Sequence, residues 1–516
     1  MKVACVLGSP RNKGNSATVA RHFCEMTKQH RNSGRTPVKQ VGWLLVACMM
    51  AVTVLVAVGQ AQEAEAPVLE AWELRKREVQ EAMCGVPEKI LRLQKEARVE
   101  PPPLAVAIAT ALKAADEAAL TLIDRQFHKG RRLVVPDDFK TVQSAIDAAM
   151  SGDIVLVKPG TYFELLVMKD GVKLVSDSAQ GGDELVTVEG TVLKLPRRSL
   201  STIIDGSKEN TSHHGMLDFD PGVGRNTIVD GFTLQNLPKQ DHHIPGHAHA
   251  LNVRGASPVI MNCYVRDNGS TGIGSHVVYA DKDLRVPKRD FRWANVKHKT
   301  EAVLYHNIVR NNLGLGIGCN HFSAPHILGN EVLQNTDAEL GHEPSPGMGA
   351  KHGSAPVILG NIVHDNIGGG ILCKVGRPQG IHNIDRPTHP TVMKNVIYRN
   401  GNLRPALSSR GGGSKDLPVR FIGNFVYDAG SLGMALSEGA VGILEDNLIS
   451  GSSAPGISIN GATALKLNHN QVTGARGPGF IITKGSLVME MVGNVSDSNK
   501  GPRFILRKST INEPGE

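Results

Sequence analysis

Through most of the chain, short runs of β-branched and aliphatic residues alternate with Gly, Asn and Asp, and no apolar stripe follows the helical 3.6 spacing. Pro418–Ile459 contains one unit written twice: an apolar strand, Gly-Asn or Asp-Asn, a second apolar pair, a polar turn, then Gly-φ-x-φ (φ, apolar). The unit's asparagine recurs at Asn262, Asn307, Asn330, Asn361, Asn395, Asn424, Asn447, Asn470 and Asn494, at steps of 23 or 24 residues where no insertion intervenes. Such a period marks a solenoid, because no single repeat can bury its own apolar face. Short strands in each unit predict an all-β, single-stranded parallel β-helix with coils of about 23 residues, stacked about 4.8 Å apart. The repeated asparagines are expected to bond the turn backbone and one another as a ladder.

Stacking allows the columns to be read from the sequence. The Gly-φ-x-φ strands begin at Gly272, Gly316, Gly347, Gly370, Gly433, Gly456 and Gly479. Alternation puts the first and third residues after the glycine in the core and the second and fourth outside. The outer second position is Gly274, Gly318 and Gly349, which predicts a shallow trough. Beside it the fourth position holds His276, Asn320, Lys351 and Lys374, with His321, His352 and Glu438 adjoining and Arg410 on a looser coil. A groove with a glycine floor and a basic, imidazole wall is therefore expected. Insertions leave the coil after this strand at 277–300 and 375–390, and before it at 336–346. The first carries seven Lys/Arg against three Asp, with Arg292 and Trp293 among them, and such loops are where binding concentrates.

Leu133–Glu164 (LVVPDDFKTVQSAIDAAMSGDIVLVKPGTYFE) combines a short amphipathic helix at Val142, Ile146 and Ala149 with a turn and a first strand. Together with the later coils it resembles the N-terminal cap and rod of pectin-lyase-like right-handed β-helix proteins, over roughly residues 131–507. The resemblance implies the handedness and a cap helix over the open core. It also implies a superfamily of polysaccharide lyases, esterases, polygalacturonases, uronan epimerases and non-catalytic surface proteins. It supplies no catalytic signature: Asp137-Asp138 lies in the cap, Arg285-Val286-Pro287-Lys288-Arg289 is followed by Asp290, and no Asp-Pro-His-Asp occurs.

Ahead of the rod, residues 1–40 form an extension whose opening, MKVACVLGSPRNKGNSATVARHFCEM, resembles the phosphate loop of flavodoxin-like FMN reductases at Ser9, Arg11, Asn15 and Ser16. The strand–helix units that such a fold requires do not follow, so no working FMN site is expected. Val41–Val58 is 18 residues without a charge, followed by Gly59-Gln60-Ala61, the pattern of a signal peptide or signal anchor over 41–61. It places the remainder outside the cytoplasm (periplasmic, cell-surface or secreted), with membrane contact only through 41–58. Residues 62–130 read as a helical spacer or a cover for the rod's end, 131–507 as the rod and 508–516 as a tail.

Charge changes the picture little. The net +8 of the 516 residues is concentrated in residues 1–61, where eight Lys/Arg stand against one Glu, leaving +1 for the rest. Nucleic acid is therefore not an expected partner, and the rod is expected to be a monomer. Of seven cysteines, Cys263, Cys319 and Cys373 fall inside coils as small core residues. Asp241, His242, His247 and His249 bring imidazoles and a carboxylate together, a donor set for a transition metal, and Ca2+ is a second candidate cofactor.

Three function classes stand. His276, His321 and His352 as bases, with Lys351, Lys374 and Arg410 clamping a carboxylate, suit lyase or epimerase chemistry on an acidic polysaccharide. Asn320, Glu438, Arg292 and Trp293, with the three glycines, would then contact substrate. A non-catalytic rod binding a cell-surface glycan or partner, and a metal-handling rod, are the alternatives. Glycoside hydrolysis, which needs two facing carboxylates, fits poorly.

Overall fold

The computed structural model describes residues 98–124, 129–208, 215–239, 249–279, 290–335, 344–375, 383–401 and 403–512. The chain divides into a unit of residues 1–78, outside the described residues, and a unit of residues 79–516. The phosphate-loop resemblance at Ser9–Ser16 and the apolar run 41–58 thus lie outside what is described. No helix among the described residues is long and apolar enough to cross a membrane.

The second unit is a right-handed parallel β-helix. Among the described residues three long sheets run along the rod, one of 15 strands and two of 12, and each strand pairs in parallel with its counterpart in the adjacent coil. Each coil contributes one short strand to each sheet, and the inward side chains of all three fill a single apolar core from Leu133 to Phe504. Cys263, Cys319 and Cys373 are buried in it, and burial pushes the Cys263 and Cys319 thiols up to about 12. The rod continues past the expected boundary at residue 507, because Thr510–Ile511 pairs with Leu487–Val488.

Two helices matter to the rod. Helix α1 (Leu104–Leu122) presents its small residues to the outside of the rod. Ala107, Ile108 and Ala111 pack with Ile362, Val396 and Tyr398, and Ala115 and Ala119 with Ile228, Val259 and Met261. It thus lies along the flank across many coils, rather than over an end, which was one of the two placements suggested by the sequence. The approach is close: a Cβ on Gly360 (φ +68°) would stand 2.3 Å from the Ala111 carbonyl oxygen. Helix α2 (Val142–Ala148) is the expected cap, its Val142, Ala145 and Ile146 closing the N-terminal end of the core. The Glu164 carboxylate accepts from the Val142 and Gln143 N–H groups, at 2.9 and 3.0 Å, satisfying two donors that a helix start leaves open.

The asparagine ladder forms from Asn307 to Asn494. Asn361, for example, donates from its backbone N–H and its side-chain amide to Asn395 Oδ1, at 2.9 and 3.0 Å, and from the amide to the Ile327 carbonyl. Asn262 does not belong to it. Cys263 occupies the ladder position of that coil, donating its N–H to Asn307 Oδ1, while Asn262 takes the left-handed position before it (φ +54°) and bonds Asp230. A second ladder, Asn268–Asn312–Asn335–Asn366–Asn400, holds the next corner.

Candidate functional site

The Gly-φ-x-φ strands form the third sheet, in the register expected from the sequence. Gly274, Gly318, Gly349, Leu372, Ser408, Ala435 and Ser458 are one outer column. The next outer column is headed by Arg254 and His276 and continues through Lys351, Lys374, Arg410, Ser437 and Asn460, with Asn320 on the intervening coil. Arg410 is thereby a full member of the basic column. At the corner that follows, side-chain hydroxyls fix the strand ends: Thr300 donates to the His276 carbonyl, Ser354 to that of Cys319 and Thr388 to that of Lys374. The cationic side chains thus stand on a tied backbone.

The glycine trough is corrected by the structure. A Cβ at Gly274 would fall 1.7 Å from Cδ2 of His249, and Cβ atoms at Gly318 and Gly349 would stand 3.1 and 3.2 Å from the Leu315 side chain. The glycines are buried and make room for the protein's own His249 and Leu315, leaving no open floor at these coils.

The wall residues divide into two groups. His321 and His352 occupy left-handed corner positions (φ +46° and +54°) on successive coils, with their rings stacked 4.8 Å apart. Glu438 takes the same kind of corner position and accepts from Nε and Nη2 of Arg410, at 2.9 and 2.5 Å. It is therefore the partner of the arginine before it is anything else. At the other end His249, 6% exposed, lies 5.7 Å from His276 between ring centroids. Asp218 and Asn252 precede Gly274 in its column, and Arg254 precedes His276. These three residues were missed because their strands lack the leading glycine, although Leu251-Asn252-Val253-Arg254 keeps the in–out alternation.

The two insertions after the strand meet each other, since Asp290–Phe291 pairs in parallel with Asn383–Ile384. Trp293 donates its backbone N–H to Asp385, carries the Arg386 guanidinium 4.5 Å from its ring centroid and meets Phe322 edge-on at 5.7 Å. With Val277, Tyr279 and Phe322 it forms a satellite core, so Trp293 braces its own insertion instead of offering a stacking face; Arg292 is exposed beside it. An open cleft of about 360 Å³ does lie on the third sheet, further along the rod. Ser408 and Ala435 lie in its floor, Arg410, Ser437 and Asn460 on one side, and Leu403 and Pro405 on the other.

Of the proposed metal ligands, Asp241, His242 and His247 lie outside the described residues, and among the described residues no group of three metal-ligating side chains occurs.

Residues 135–402 match the profile of a family described as "Protein of unknown function (DUF1565)". No curated protein matches. Similar solved structures are the A-module of the mannuronan C-5 epimerase AlgE4 from Azotobacter vinelandii, the pectate lyase Pel9A and the periplasmic alginate epimerase AlgG. The first is 15% identical with a TM-score of 0.38, covering 72% of this chain and 94% of that one. The pectate lyase is 12% identical with a TM-score of 0.33, covering 72% of each chain. AlgG is 12% identical with a TM-score of 0.35, covering 82% of this chain and 100% of that one.

Proposed function

The chain belongs to the DUF1565 family, and for it we propose action on an acidic polysaccharide held along the outer face of the third sheet. The observation that carries this reading is the register Lys351–Lys374–Arg410, three cations on consecutive coils. Like charges directly opposite one another across a ladder are unfavourable. Glu438 already meets Arg410 from within the protein, and a polymer that repeats a carboxylate along its length would set one against each cation in turn. The apolar run 41–58, followed by small residues, supports export, which would bring the rod to such polymers.

The chemistry suited to this face is proton abstraction beside a uronate carboxylate. A base takes the C5 proton while a cation neutralises the carboxylate and stabilises the developing enolate. In elimination the C5–H electron pair becomes the C4=C5 double bond, the C4–O bond breaks and the leaving oxygen takes a proton. In epimerisation the proton returns to the opposite face of C5. His276 with His249 as bases, and Arg254 as the clamp, form the compact set for this step, and Lys351, Lys374 and Arg410 hold the chain beyond it. Incubating the full chain with alginate, pectate and glycosaminoglycans, with and without Ca2+, tests this: an unsaturated-uronate absorbance, or a change in epimer ratio by NMR, is expected, and either should be lost in His276→Ala. Neither change on any polymer would defeat the catalytic part.

A non-catalytic glycan-binding rod is the second reading. It is favoured by the Arg410–Glu438 pair and by the filled glycine positions, which leave less open surface beside the histidines. It predicts binding without product.

A further inference from the structure

A second cationic surface gathers at the C-terminal end of the rod. Residues 471–512 carry six Lys/Arg against two Asp/Glu, whereas the chain from residue 62 onward nets only +1. Neither carboxylate pairs with these cations among the described residues: Asp497 accepts from the Val99 N–H at 3.2 Å, and Glu490 from the Asn468 amide. Arg476, Lys484, Lys500, Arg503 and Lys508 are exposed and make no ion pair among the described residues. Lys500, Arg503, Arg507 and Lys508 all belong to the last coil, on either side of its third-sheet strand Phe504–Leu506. Arg476 and Lys484 stand one coil back at the same two corners, where the Lys500 N–H donates to the Ala475 carbonyl and the Gly485 N–H to that of Lys508.

Inside this rim the end is apolar. At the opposite end helix α2 closes the core, whereas no helix among the described residues follows Phe504–Leu506, and Leu506 and Ile511 are only partly buried against the core. Met489, on the preceding coil, is 38% exposed. The chain also reaches the rod here. Val99 bonds the last second-sheet strand, Val495–Asp497, the Pro102 carbonyl accepts from the Tyr427 hydroxyl, and α1 then runs back to the coils of Ile228 and Val259. The sequence that holds the apolar run 41–58 therefore connects to the rod at its basic end.

We infer that this end is a docking surface for a bilayer carrying anionic phospholipid, an inference that goes beyond the polysaccharide reading and does not depend on it. A polyanion running along the rod meets the cations of one column in turn. A flat anionic surface set against the end meets the cations of the last coil together. A basic rim around partly exposed apolar side chains suits such a surface, because headgroup charge attracts the rim while the apolar residues reach the acyl boundary.

The test is hydrogen exchange of the full chain on vesicles of phosphatidylcholine, alone or mixed with phosphatidylglycerol. Amides of residues 500–511 should exchange more slowly on the mixed vesicles only, and high salt should reverse the effect. Lys500→Glu combined with Arg503→Glu should abolish that protection. Lys140→Glu combined with Arg420→Glu, exposed reversals elsewhere on the rod, should leave it unchanged. All four positions are exposed, so both variants should keep the far-ultraviolet circular dichroism of the rod. Residues 1–61 are the same in every variant, and attachment through them alone leaves 500–511 unprotected. Equal slowing on phosphatidylcholine alone, protection kept in Lys500→Glu with Arg503→Glu, or an equal loss in the two pairs overturns the inference. Protection of 500–511 by polygalacturonate and not by the mixed vesicles overturns it as well, by assigning this end to the polymer.

Discussion

Lys351 and Lys374 stand directly opposite each other in the register between strands Met348–Lys351 and Ile371–Lys374, and Arg410 follows on the next coil. Glu438 meets Arg410 from the coil after it, and a partner with regularly spaced negative charge would find three cations in line. The Thr388 hydroxyl ties the backbone beneath Lys374, and that of Ser354 ties the coil before Lys351 at the Cys319 carbonyl.

The seating of His249 on Gly274 gives the first prediction. With its Cβ 1.7 Å from the imidazole, Gly274→Ala must displace the ring. Turnover of an acidic polysaccharide should fall by at least about tenfold, in line with the loss of a positioned base. The rod should keep its far-ultraviolet circular dichroism, because the clash is with a side chain outside the core. Unchanged turnover would remove His249 from the site.

The two asparagine environments separate in stability. Asn361→Ala removes the amide bonds to Asn395 and Ile327 and strands the Asn330 donors that it accepts. A loss of about 3 kcal/mol is expected, since buried donors are left without partners. Asn262→Gly, which keeps the left-handed corner and removes one amide bond to Asp230 while Arg198 still holds that carboxylate, should cost about 1.5 kcal/mol. Urea-denaturation midpoints check this, and equal effects would contradict the column assignment.

Stability should fall in two stages on acidification. Burial, aided by Arg225, lowers the His326 imidazole, and burial with Arg386 lowers His389 although the Pro387 carbonyl opposes. Both take up a proton more readily in the unfolded chain, so stability declines as pH drops below the ordinary histidine value of about 6.5. A second decline belongs to carboxyls held low. Burial would raise Asp116, but the hydrogen bond and charge of His306 outweigh it, and at Asp365 the Arg399 and His364 bonds do the same. Their contribution is present above about pH 4 and is lost as pH falls through their lowered values. Thermal midpoints recorded from pH 8 to pH 3 test both stages; a midpoint unchanged between pH 7 and pH 5 would contradict the first.

The coil was legible because its rules are local. Alternation fixed which residues of Ile273–His276 face out, and the leading glycines aligned the basic column through Lys374. Asn262 was placed one position off, because an asparagine suits both the ladder and the left-handed corner before it. The second ladder was equally readable, as N-x-x-x-x-N from Asn307 to Asn312, Asn330 to Asn335 and Asn361 to Asn366. What could not be read depends on contacts distant in sequence. The filling of the glycine column by His249 and Leu315, the capture of Trp293 by Arg386 and the course of α1 along the flank are of this kind. A glycine pattern signals only that a Cβ would not fit; it does not say what occupies the space.

The most direct test of the account is titration of the full chain with polygalacturonate, alginate and a neutral glucan at two salt concentrations. The uronans should bind and the glucan should not. Raising the salt should weaken binding, and Lys351→Glu combined with Lys374→Glu should reduce it by at least about a hundredfold, about tenfold per charge-assisted contact. Equal binding of the neutral glucan, or full affinity in the doubly substituted chain, would contradict it.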